Sequence, residues 1–119
     1  LMGWNNQRRK IVNKYNTAFS NIRDIKVVPH FNGSACHLFV ILTENRKALI
    51  DHLTRRGIGT GIHYPTPVHK QEGYRTEFGD ISLPHTEYFS LNCMSLPLFP
   101  QLTDSEIDYV IEALLDYHF

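Results

Sequence analysis

The run from Cys36 to Leu42, Cys-His-Leu-Phe-Val-Ile-Leu, is apolar nearly throughout and follows a turn-like Asn32-Gly33-Ser34. A strand with one face in water alternates apolar and polar residues, whereas a strand covered on both faces does not. The run therefore predicts a central strand over residues 36–42 with material packed above and below it. The β-branched stretch Ile25 to Val28, ended by Pro29, predicts a short neighbouring strand.

The covering layers are legible as helices. Trp4, Ile11, Val12, Tyr15, Ala18, Phe19 and Ile22 recur at three- and four-residue steps and predict an amphipathic helix over 4–22, with Arg8, Arg9, Lys10 and Lys14 on its wet face. Asn45 is placed to cap a helix running to about Arg56, with Ala48, Leu49 and Leu53 inward and Gly57 set to end it in a left-handed conformation. Gly57-Ile58-Gly59-Thr60-Gly61 then leads into a short strand. Ser82-Leu83-Pro84 opens a helix to about Cys93 with proline in its first turn, and Leu96-Pro97-Leu98-Phe99-Pro100 reads as an extended segment that its prolines keep at an edge. Thr103-Asp104-Ser105-Glu106 is a capping box, followed by the stripe Ile107, Val110, Ile111 and Leu114. The order of elements predicts an α+β domain, a small and mostly antiparallel sheet covered by helices, filling residues 1–119 as one unit.

Several functional classes are disfavoured. Twelve basic residues balance twelve acidic ones, and no helix collects a basic stripe beyond its solvated face, so nothing concentrates nucleic acid or an anionic membrane surface. No apolar run approaches the roughly 20 residues that span a bilayer. The two cysteines, Cys36 and Cys93, stand in separate apolar stretches without CxxC spacing, which predicts buried thiols in a reducing, cytoplasmic setting. Ser82, Ser90, Ser95 and Ser105 lack a nucleophile-elbow context, and the carboxylates are scattered, so no catalytic set stands out.

Chemistry concentrates between Thr60 and Gln71, Thr-Gly-Ile-His-Tyr-Pro-Thr-Pro-Val-His-Lys-Gln, just beyond a strand end. Gly57, Gly59 and Gly61 follow a helix rather than open one, the reverse of a dinucleotide fingerprint, and so predict a helix stop and a backbone that another group can approach closely. Two prolines can present His63, Tyr64 and His69 rigidly, and such side chains suit the hydroxyls and the face of a polar, ring-shaped ligand. Convergence of His63, His69 and His85 on a metal matches no common zinc spacing. The same residues equally suit a plain connection in which the imidazoles and the phenol are packed and hydrogen-bonded, and read alone they favour that simpler role.

The combination Arg56-Gly57-Ile58-Gly59-Thr60-Gly61-Ile62-His63-Tyr64-Pro65-Thr66-Pro67-Val68-His69, then Leu83-Pro84, then Ser95-Leu96-Pro97-Leu98-Phe99-Pro100 and Leu102-Thr103, resembles the carboxyl-terminal part of the DegT/StrS sugar aminotransferases. The helix around Arg8-Arg9-Lys10-Ile11-Val12-Asn13-Lys14-Tyr15 and the strand His37-Leu38-Phe39-Val40-Ile41 extend the likeness over essentially the whole chain. The resemblance implies the small domain of an aspartate-aminotransferase-like homodimer. Its parent enzyme would use pyridoxal phosphate to move an amino group from an amino acid, glutamate in most of the family, to a nucleotide-linked keto sugar. It implies substrate contacts at His63 and Tyr64, and at His69. The aldimine lysine, the acidic partner of the pyridine nitrogen and the phosphate loop would belong to the large domain, so no catalytic or cofactor-binding residue is expected here and the chain alone is expected to be inactive. Two alternatives stay open: the small domain of a sugar dehydratase of the same family, in which histidine replaces that lysine, and a stand-alone binding or dimerisation module.

Overall fold

The computed structural model describes residues 1–118. Helix α1 (Met2–Phe19) is followed by strands β1 (Lys26–Val27) and β2 (Phe39–Leu42), and by helix α2 (Arg46–Arg55). A 3-10 turn (Val68–Lys70) precedes helices α3 (Glu72–Phe78) and α4 (Pro84–Asn92), strand β3 (Cys93–Leu96) and helix α5 (Asp104–Leu115). The sheet has the order β1-β2-β3 and both pairings are antiparallel, with Val27 opposite Ile41 and Val40 opposite Ser95. The α+β fold read from the sequence is the fold observed, with β2 at its centre.

Phe39 and Ile41, two apart on β2, share one face and are fully buried, in a core with Tyr15 and Phe19 of α1, Leu49 and Leu53 of α2, Met94 of β3 and Leu114 of α5. The Tyr15, Phe19 and Phe39 rings meet at centroid distances of 4.9–6.2 Å, within the range of favourable tilted and offset pairs. Helix α4 packs against β2 and Leu42 is buried, so the central strand is covered as its apolar run demands. Both cysteines are buried and unpaired.

The strand expected over 36–42 is shorter, Phe39–Leu42, and the residues just ahead of 36 are bonded to α1. The Arg8 Nε–H donates to the Ala35 carbonyl (2.9 Å) and an Arg9 Nη2–H to that of Ser34 (3.3 Å), and Cys36 sits at φ 49°. Asn45 occupies the N-cap of α2, yet its side chain makes no capping bond. Gly57 takes φ 74°, as a left-handed helix stop requires. The expected edge segment 96–100 is displaced: pairing occurs at Cys93–Leu96, and Pro97, which has no N–H, follows the last paired residue. The expected strand after Gly57 shrinks to a single bridge from Gly61 to Ser95, on the outer side of β3. Helix α3 lies where periodicity predicts no element, because its described side chains are all exposed and it carries no apolar stripe.

Helix α5 begins with the capping box, Thr103 Oγ1 accepting from the Glu106 N–H and the Glu106 carboxylate accepting from the Thr103 N–H (2.8 Å). Thr103→Ala is expected to lower stability by about 1 kcal/mol in urea unfolding at neutral pH. The Thr103 N–H, and then its hydroxyl, hold the Glu106 carboxyl below its ordinary value. A depressed folded value means that its contribution is present above the unfolded pKa and lost as pH falls through the folded one. The deficit of the variant should therefore narrow in acid.

Candidate functional site

Beyond Gly57 the chain crosses to β3. The Gly61 N–H donates to the Ser95 carbonyl (3.1 Å) and the Ser95 N–H donates back (2.7 Å). This crossing brings the His63 ring over Gly61. A Cβ on Gly61 would lie 2.7 Å from His63 Cε1, so only glycine permits the ring to rest there. His63 Nδ1 is 3.0 Å from Ser95 Oγ, and that bond fixes which way the imidazole faces. The Tyr64 ring meets the His63 ring edge to face, 5.7 Å between centroids, across a cis peptide bond, and Tyr64 is 72% exposed. Leu38, Gly61, His63, Ser95, Pro97 and Phe99 line an open groove of about 410 Å³ beside them. An imidazole held against an apolar wall, with an exposed phenol on the next residue, offers hydrogen bonds and ring faces to a polar cyclic ligand.

His69 is placed differently. Its side chain is 8% exposed, and its Nε2 donates to Glu87 Oε1 at 3.1 Å. The same oxygen accepts the Leu83 N–H (2.9 Å) and lies 3.5 Å from Lys70 Nζ. The Leu83 N–H, and then the His69 bond, hold the Glu87 carboxyl below its ordinary value, as donors to the charged form do. His63 and His69 thus face separate partners and His85 is exposed on α4. Among the described residues no three histidine, cysteine or acidic side chains gather as a metal would need. Sequence reasoning passed over Ser95 and Glu87. Ser95 stood inside the quoted Ser-Leu-Pro motif, but only its antiparallel partner reveals what it faces.

The described residues do not fit pyridoxal phosphate. An aldimine lysine must reach its neutral, nucleophilic form, which burial or neighbouring cations favour. Lys14 Nζ instead pairs with Asp108 (2.7 Å) and Asp104 (3.6 Å) at the surface, and the Asp108 bond raises its pKa. Lys70 pairs with Glu87, while Lys10, Lys26 and Lys47 are exposed. Among the described residues no helix is long and apolar enough to cross a membrane.

A three-stranded antiparallel layer flanked by helices, with a polar loop at its side, defines a small α+β domain. The chain belongs to the DegT/DnrJ/EryC1/StrS aminotransferase family, whose sequence model matches residues 1–115. Among solved structures it resembles DesV of S. venezuelae, crystallised with a ketimine intermediate, at 35% identity and a TM-score of 0.87. NtdA of Bacillus subtilis, solved with bound cofactor PMP, matches at 28% identity and a TM-score of 0.86. A DegT DnrJ EryC1 StrS aminotransferase of Brucella abortus matches at 29% and 0.83. These likenesses cover 93%, 94% and 94% of this chain but 31%, 28% and 30% of the relatives, so the chain spans about a third of their length.

Proposed function

We propose that the chain acts as the C-terminal small domain of a pyridoxal-phosphate-dependent aminotransferase that transfers an amino group from an amino acid, glutamate by family resemblance, to a nucleotide-linked keto sugar. The observation that carries this reading is the match of nearly the whole chain to about a third of DesV at a TM-score of 0.87. In this reading the cofactor chemistry belongs to the remainder of such an enzyme and the chain alone is inactive, in keeping with the ion-paired or exposed setting of its lysines. The parent is a cytoplasmic homodimer in this reading.

The surface supports a domain that lives against another. On α4 the polar Ser90 and Asn92 are buried while Tyr88 and Leu91 are 48% and 66% exposed, an inversion that leaves two large apolar side chains facing outward within one turn. In the same reading His63 and Tyr64 form part of the wall that contacts the sugar. The parent enzyme carrying His63→Ala or Tyr64→Phe should lose about tenfold in kcat/KM for the keto sugar, the scale of one hydrogen bond to a polar ligand, with cofactor absorbance intact. Unchanged sugar kinetics in both variants would remove these residues from the site.

A further inference from the structure

We propose that Glu87 and His69 are positioning residues that set the place of the His63 and Tyr64 tip, so that His69 serves the site from behind rather than by touching the ligand. The inference rests on the functional reading above for the identity of that ligand, and on geometry for everything else.

From Gly59 to Phe89, His69 is the only buried residue among those whose side chains are described. A long surface excursion is therefore pinned at one interior point, and the pin is polar. An apolar side chain would fill such a space without needing a partner. An imidazole bonded to a carboxylate adds direction, because the N–H and the acceptor must align. Glu87 is itself fixed, since Oε1 accepts the Leu83 N–H at the opening of α4 as well as His69 Nε2. The bond therefore ties the 3-10 turn to the first turns of a helix that packs on the central strand.

The link from this pin to the tip is stiff. Pro65 and Pro67 lock their own φ, and a following proline narrows the backbone choices of Tyr64 and Thr66 by disfavouring the helical region. Pro67 has φ −63° and ψ 150°, an extended conformation that leads into the 3-10 turn. Residues 64–67 form a short proline-restricted link, bent at Pro65 and Thr66, between two anchors, the His63 to Ser95 bond at one end and the His69 to Glu87 bond at the other. Moving the second anchor moves Tyr64, whose own side chain is too exposed to hold itself in place.

The test compares Glu87→Ala, Glu87→Gln and His69→Leu in the 119-residue chain by NMR. Glu87→Ala and His69→Leu should shift the Tyr64 ring and His63 imidazole signals. They should also speed amide exchange at Lys70 and Gln71, which donate to Pro67 and Val68, by about tenfold, the scale of one charge-assisted hydrogen bond. Exchange at Ile41 and Met94 should not change. Glu87→Gln keeps an acceptor oxygen and should restore the wild-type tip signals, which mere loss of packing would not predict. Should Glu87→Ala unfold the chain, His69→Leu, which fills the space but cannot donate, carries the comparison. Tip signals that stay in place in His69→Leu, with the core intact, overturn the proposal. In the parent enzyme Glu87→Ala should raise KM for the keto sugar about tenfold and lower kcat by less, and an unchanged sugar KM overturns it as well. A wild-type parent that accepts no keto sugar would sink the functional reading alone, leaving the NMR comparison to decide on the anchor.

Discussion

Phe39→Ala is expected to cost about 3–5 kcal/mol, the range for removing a large aromatic from a packed core, and to leave the domain largely unfolded in mild urea. Phe39 is fully buried on the central strand, and its ring meets Tyr15 at 4.9 Å, Phe19 at 6.2 Å and His30 at 6.0 Å. Truncation removes one partner from several aromatic contacts at once and opens a void lined by a strand and a helix, neither of which can collapse into it without losing sheet pairing or its own packing. Domains of ordinary size are stable by only about 5–15 kcal/mol, so the loss is a large fraction of the whole. Urea unfolding followed by circular dichroism measures it. A cost below about 1 kcal/mol would mean that the strand is not packed as described.

On the function proposed above, Gly61→Ala should leave stability almost unchanged and yet cost the parent enzyme about a hundredfold in kcat/KM for the sugar, the scale of an ångström-sized misplacement in a positioned site. The added methyl would lie 2.7 Å from His63 Cε1 and 3.3 Å from Nδ1, so the ring, the mobile partner, must swing away. That swing breaks the bond to Ser95 and turns the displaced imidazole into the groove it lines. The backbone pairing of Gly61 with Ser95 does not involve the side chain and should persist. The effect should therefore exceed that of His63→Ala, which removes the ring without misplacing it. Wild-type sugar kinetics in Gly61→Ala would show that the orientation of His63 is immaterial to substrate.

Features governed by neighbours within a turn were readable in advance. The capping box at Thr103 and Glu106, the left-handed Gly57 and the proline-led start of α4 all lie where the residues predict them. The central strand was readable because its burial on both faces left a continuous apolar run. Its length was not, since Cys36 takes a positive φ of 49° that no strand accommodates, just after Ser34 and Ala35 bond to Arg9 and Arg8 far back along the chain. Strand β3 was hidden because Cys93-Met94-Ser95-Leu96 lacks β-branched residues and continues directly from a helix.

For the site, the sequence by itself determined the inventory: a glycine-led approach, His63 and Tyr64 at a proline-stiffened tip, and His69 beyond it. Tertiary structure alone decided which partners the two imidazoles meet. The Ser95 partner of His63 lies 32 residues away and the Glu87 partner of His69 lies 18 away, separations at which no local rule couples one residue to another. Which side chains meet at such distances is set by the register of β3 on β2 and by the seat of α4 on the sheet. A one-residue slip would turn Ser95 to the opposite face while leaving every local preference in the sequence satisfied.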